Sequence, residues 1–157
     1  MSRAFTKEID DAPPPPLEER KMSTAPNLVT KCGAAQIQSE IDRLDAAIAD
    51  STGDQQASLS RDLRYWSARR ATMQVVEATE HPSVVAFGTQ VSIRRGGRVT
   101  TLSIVGEDEA DPATGHIAWT SPLASALLES EVGEVVSFSA GGRDEEIEVL
   151  EIRALAN

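Results

Sequence analysis

Cysteine is almost absent from this 157-residue chain: Cys32 is the only one. No internal disulfide can form, and neither His81 nor His116 lies near it in sequence, so no thiol-based catalytic pair is indicated. Aromatic residues make up only 4% of the chain, too few for a deep aromatic ligand pocket. Positive charge is outnumbered, with 15 Lys and Arg against 25 Asp and Glu and a formal net charge of −10. Broad binding of duplex nucleic acid needs Lys and Arg to neutralise phosphates, so the charge argues against it. The same charge permits docking on a basic protein surface. No apolar run approaches the roughly 18 residues of a membrane helix. The polar N-terminus has no signal-peptide pattern. The expectation is a cytoplasmic protein with no membrane contact.

The residues that are present divide the chain into three parts. Residues 1–32 carry Pro13, Pro14, Pro15 and Pro16 among acidic, Ser and Thr residues. Such a segment cannot build a core and is expected to be a disordered, extended arm, partly polyproline II, that orders only against another surface. Residues 33–80 read as two helices. Ile37, Ile41, Leu44 and Ile48 form an a/d seam over 33–51. Leu59, Leu63, Trp66, Met73 and Val76 give an apolar stripe over 55–78, interrupted by Arg69 and Arg70. Ser51-Thr52-Gly53-Asp54 lies between them, with Gly53 as the expected C-cap of the first helix and Asp54 as the N-cap of the second. Two amphipathic helices joined by a short polar turn fold back as an antiparallel coiled-coil hairpin. At 1.5 Å per residue it reaches about 30–36 Å. His81-Pro82 is expected to end it.

After Pro82 the period changes, and residues 83–157 read as a β-rich module. Thr89–Arg95 alternates with Val91 and Ile93 on one face. Gly96-Gly97 is a hairpin turn signal, and residues 98–105 follow as a second strand. The acidic, glycine-flanked stretch 106–115 reads as a long loop, and 116–120 as a short strand. Ser121-Pro122 opens a helix, with serine at N-cap and proline at N1. Residues 135–140 and 145–153 flank Gly141-Gly142 as a final hairpin. The fold class is α+β: a helical hairpin followed by an antiparallel sheet with one short helix.

Several motifs resemble a known family. Val84-Val85-Ala86-Phe87-Gly88, Ile104-Val105-Gly106-Glu107-Asp108-Glu109-Ala110-Asp111, Ser121-Pro122-Leu123-Ala124 and Val132-Gly133-Glu134-Val135-Val136 occur in the order and spacing of the C-terminal domain of the GreA/GreB transcript-cleavage factors. Ser2-Arg3-Ala4-Phe5 is similar to the start of GreB-type chains. The resemblance implies an FKBP-like fold for 83–157, docking of that domain on the rim of the RNA polymerase secondary channel, and entry of the hairpin into the channel. In that family, acidic residues at the hairpin tip help hold a Mg²⁺ and a water while the polymerase hydrolyses backtracked RNA. The chain would then be no enzyme in its own right. It would be a monomer holding no cofactor beyond a Mg²⁺ shared with the polymerase, and its contact with nascent RNA would be indirect.

The tip departs from the family pattern. Gly53-Asp54 offers one acid, but Gln55, Gln56, Ala57 and Ser58 follow with no Glu, and Asp50 is the only other carboxylate near the turn. Both helices are also shorter than is typical of the family by roughly ten residues, about 15 Å of reach, which is closer to short-hairpin relatives such as Rnk. The main expectation is therefore a polymerase-binding factor that modulates elongation with weak or no stimulation of cleavage. A second reading keeps cleavage stimulation through Asp54 and Asp50. A third, from the implied fold alone, is a peptidyl-prolyl isomerase or chaperone, for which Phe87, Trp119 and Phe138 are the only aromatic residues of the module.

Candidate docking residues are Ser121, Pro122, Leu123 and Ala124, with Asp108, Glu109 and Asp111 of the acidic loop. Helix capping and a solvated loop explain the same residues without a partner. The loop lacks the ligand spacing of a calcium-binding EF-hand, and no metal site is expected. Arg61, Arg64, Arg69 and Arg70 form a candidate basic patch on the second helix, or else a solvated face with intrahelical ion pairs.

Overall fold

A computed structural model describes residue 13 and residues 15–156. The expectations about Ser2-Arg3-Ala4-Phe5 and the start of the arm lie outside the described residues.

Among the described residues the first regular element is β1 (Leu28–Val29), followed at once by α1 (Lys31–Ala49). The arm expected over 1–32 therefore ends earlier, since residues 28–29 form a strand and 31–32 begin a helix, with Thr30 between them. Thr30 sets the start of α1: it sits in extended backbone at N-cap and its side chain accepts from the Gly33 N–H at 3.0 Å, as a Thr N-cap should. The a/d seam holds, with Ile37, Ile41 and Leu44 at most 4% exposed. Leu63, Trp66 and Met73 pack on this core from the far side.

The turn between the helices differs from expectation. Asp50, not Gly53, is the C-cap of α1. Gly53 opens α2 (Gly53–Thr72) with a φ of +61°, a conformation glycine adopts without strain. Asp54 lies in the first turn of α2 and is not its cap.

The end of α2 is the larger correction. The helix stops at Thr72 and does not continue to Ala78. Gln74–Val75 forms β2, parallel to β1. The Gln74 N–H donates to the Asn27 carbonyl (2.8 Å) and the Val76 N–H to the Val29 carbonyl (2.9 Å). Val75 and Val76 are β-branched and favour extended backbone, so a nearby strand outcompetes the helix. Asn27 also donates from Nδ2 to the Arg69 carbonyl at 2.7 Å, satisfying an end group the helix leaves open. The two helices, of 19 and 20 residues, give a hairpin about 29 Å long.

Beyond residue 88 the chain builds a five-stranded sheet in the order β5-β4-β3-β7-β6. Its strands are β3 (Thr89–Arg95), β4 (Arg98–Val105), β5 (His116–Ala118), β6 (Val135–Ala140) and β7 (Arg143–Ala154). The sheet is mixed, not wholly antiparallel. β5 runs parallel to β4, with Ile104 beside Ile117, because two 3-10 turns at Glu107–Glu109 and Pro112–Thr114 carry the chain back before β5 begins. One face packs under α3 (Pro122–Leu127). Val91, Ile93, Leu102, Ile104, Ile147 and Val149 meet Ala124 and Leu127 there. Among the described residues no helix is long and apolar enough to cross a membrane.

Candidate functional site

The acidic run Glu107-Asp108-Glu109 is not a solvated loop. It is a clasp at the base of the hairpin: Glu109 meets the start of α1, while Asp108 and Glu107 both approach Arg69 of α2.

Glu109 grips the start of α1. It accepts from the Thr30 backbone N–H at 3.1 Å, from the Thr30 hydroxyl, and from the Gly106 N–H at 3.0 Å. A carboxylate over a helix N-terminus meets unpaired N–H groups and the positive end of the helix dipole. The approach is so close that a Cβ on Gly33 would overlap the Glu109 carboxylate. Gly106 is confined in the same way, since a Cβ there would come within 2.5 Å of the Leu28 carbonyl oxygen.

Asp108 grips α2. Its Oδ2 accepts from Arg69 Nε at 2.6 Å, and its Oδ1 accepts from the Tyr65 hydroxyl. The side chains of Arg69 and Asp108 are 3% and 9% exposed, so this is a buried ion pair in which each charge depends on the other. Glu107 lies 3.6 Å from Arg69 Nη2 and accepts from Thr120 at 2.9 Å and Ser23 at 3.0 Å. The run thus joins α1, α2, the arm and the sheet module.

Burial, and then the hydrogen bond donated to Asp108, push the Tyr65 hydroxyl up to about 12, against about 10 for a free tyrosine. A raised value favours the protonated form in the folded state. The resulting stability is fully present below pH about 10 and is lost as pH climbs toward about 12. Urea midpoints should fall across that alkaline window, and Tyr65→Phe should flatten the fall. An equally steep fall in Tyr65→Phe would show that another group is responsible.

The docking candidates are dispersed. Ser121 N-caps α3, accepting from the Ala124 N–H at 3.2 Å. Ala124 is fully buried and Leu123 packs on the sheet core. Neither is placed as a free contact, because both hold α3 down. Pro122 is exposed. Asp111 is exposed and accepts from the Ala113 N–H at 3.2 Å. Asp108 and Glu109 face the hairpin. Pro122 and Asp111 remain as outward-facing members of that set.

The four arginines do not form a patch. Arg69 is buried in the clasp. Arg61 lies 3.4 Å from Asp62, Arg64 pairs with Glu19 at 2.6 Å, and Arg70 donates to Gln38 at 3.2 Å. Asp50 and Asp54 are both exposed at the hairpin turn. Among the described residues no three His, Cys, Asp or Glu side chains converge as a metal site. The three aromatics do not meet in one pocket either. Phe87 lines a groove with Val84, Val85, Ala86, Ser125, Leu128 and Glu129, while Trp119 and Phe138 pack against the sheet core.

Thr30, Gly33, Tyr65 and Arg69 were not legible as one site in the sequence. A hint was present: glycine in a helix is unfavourable unless something approaches closely, and Gly33 lies at the start of an apolar seam.

A family model described as "Transcription elongation factor, GreA/GreB, C-term" matches residues 79–154. The chain is 30% identical over 162 aligned positions to transcription elongation factor GreA of Ralstonia nicotianae, covering 85% of this chain and 100% of that protein. It is 35% identical to GreA of Methylococcus capsulatus over 104 residues, covering 64% of this chain and 66% of that protein, just under two thirds of its length. Among solved structures it is similar to GreA factor homolog 1 (Gfh1) of Thermus thermophilus, at 17% identity and a TM-score of 0.41, over 83% of this chain and 100% of that one.

Proposed function

Since the chain belongs to the GreA/GreB family of transcription elongation factors, we propose that it binds RNA polymerase in the cytoplasm and modulates elongation. In this reading the sheet module docks at the rim of the secondary channel and the hairpin points into it. The observation that carries the reading is the clasp. Buried Arg69–Asp108 and the Glu109 cap fasten both helices to the sheet module at their base. A probe fixed to a docking module can be aimed, whereas a freely jointed one cannot.

The protein is no enzyme in this reading, and it stimulates transcript cleavage weakly or not at all. Any Mg²⁺ would be one the polymerase already holds. A Mg²⁺ bond to carboxylate oxygen is about 2 Å long, so an acid helps only if delivered to the metal. The hairpin projects about 29 Å and presents Asp50 and Asp54, with no Glu at positions 55–58. The isomerase reading lacks an aromatic-lined pocket to support it.

Two measurements test this. Tagged protein should retain core polymerase at micromolar concentration; no retention would end the reading. In backtracked complexes, saturating protein should leave the RNA nearly intact, and Asp54→Ala should behave the same. Rapid RNA shortening that Asp54→Ala abolishes would establish a true cleavage factor.

A further inference from the structure

The described part of the arm is not a free tail. It runs alongside α2 in the same direction, from the start of that helix toward its end at the base of the hairpin. Pro15, Pro16 and Leu17 share a groove with Asp54, Ala57 and Ser58 beside the hairpin turn. Glu19 receives Arg64 through Nη2 at 2.6 Å and Nε at 3.0 Å. The Arg20 guanidinium lies 3.8 Å from the Tyr65 ring centre and 3.7 Å from Asp62. Ser23 then donates to Glu107 in the clasp, and Asn27 closes the end of α2.

The seat is made by side chains. Among the described residues no backbone–backbone hydrogen bond ties 15–26 to α2. Its ion pairs lie at exposed or half-exposed positions, where each contributes little and salt screens it. Glu19 and Arg64 do sense each other: Arg64 holds the Glu19 carboxyl below its usual range, and Glu19 raises Arg64 in turn. The arm is therefore specifically placed and lightly held. Glu19 also stands where an acidic partner would meet the Arg64 fork.

We propose that residues 15–26 are an autoinhibitory strap, covering the α2 face that bears Asp62, Arg64 and Tyr65 so that the strap must leave before RNA polymerase can grip that face. The inference rests on the polymerase reading above. The partner group it predicts for Arg64 is a protein carboxylate. The Glu19 carboxylate, which holds the Arg64 guanidinium through both Nε and Nη2, is the group the partner's would replace.

The test uses the full chain, Glu19→Arg, and Glu19→Arg with Arg64→Glu. In the free protein, subtilisin cleavage within 15–26 is followed by mass. Glu19→Arg repels Arg64 and should be cut faster, while the charge-swapped pair should return toward the parent rate. Core polymerase should bind Glu19→Arg about fivefold more tightly than the parent, the size one exposed ion pair supports. Equal cleavage rates would remove the strap. Faster cleavage with unchanged or weaker polymerase binding would remove autoinhibition while leaving the strap. If no form binds polymerase although the cleavage rates differ as expected, the polymerase reading fails and the inference falls with it, a result distinct from failure of the strap itself.

Discussion

Arg69→Ala is expected to destabilise the fold by about 3–5 kcal/mol, the range for removing one partner of a buried ion pair. Arg69 is 3% exposed and Asp108 keeps only 9% of its side chain in contact with solvent, so truncation leaves a carboxylate that water cannot easily reach. The Tyr65 hydroxyl alone cannot replace the cation. Glu107, 3.6 Å from the same guanidinium, loses its counter-charge as well. Urea unfolding should show the drop, together with polymerase binding weakened beyond what the unfolded fraction explains, because the hairpin is no longer aimed. The control is Arg69→Met with Asp108→Leu. Replacing both charges by apolar groups is often neutral or stabilising, so the double variant should recover most of the stability. A loss below about 1 kcal/mol in Arg69→Ala would mean that the pair is solvated and the clasp is not an anchor.

The clasp also explains how far the sequence could be read. Periodicity located both helices and every strand of the five-stranded sheet, because period-2 alternation and a 3.6-residue seam record which face is buried. It did not locate the end of α2, since Met73 and Val76 continue the helical stripe on paper. What ends the helix is β1, only two residues long, whose residues pair with partners 46 positions later in the chain. The parallel placement of β5 was hidden for a similar reason: alternation fixes faces, not strand direction. The acidic run was legible as part of the family motif, but its partners were not. Arg69 read as one of four surface cations because a buried charge and an exposed one look the same in a sequence. Only contacts across 39 residues of chain separate them. The arm carries no periodicity at all, and its seat on α2 is a set of individual side-chain pairs.

Gly33 gives the sharpest test of that lesson, because ordinary helix energetics predict the wrong sign. Glycine within a helix is less favourable than alanine by roughly 0.5–1 kcal/mol, so Gly33→Ala in α1 should stabilise the protein if the position were open. It is not open. The added Cβ overlaps the Glu109 carboxylate, which must move away and abandon the N–H groups of Thr30 and Gly106 and the Thr30 hydroxyl. Leaving such groups unsatisfied costs about 1–3 kcal/mol, which exceeds the helix gain. Gly33→Ala should therefore be destabilising. Glu109→Ala should also be destabilising, because it orphans the same donors. Once Glu109 is absent, however, nothing opposes the Cβ, and Gly33→Ala should then be neutral or stabilising. The coupling energy from that double-mutant cycle should be of the order of 1–3 kcal/mol. Additive effects would mean that Glu109 swings clear at no cost, so that the helix N-terminus is held by Thr30 alone and the sheet module touches α1 without fastening it.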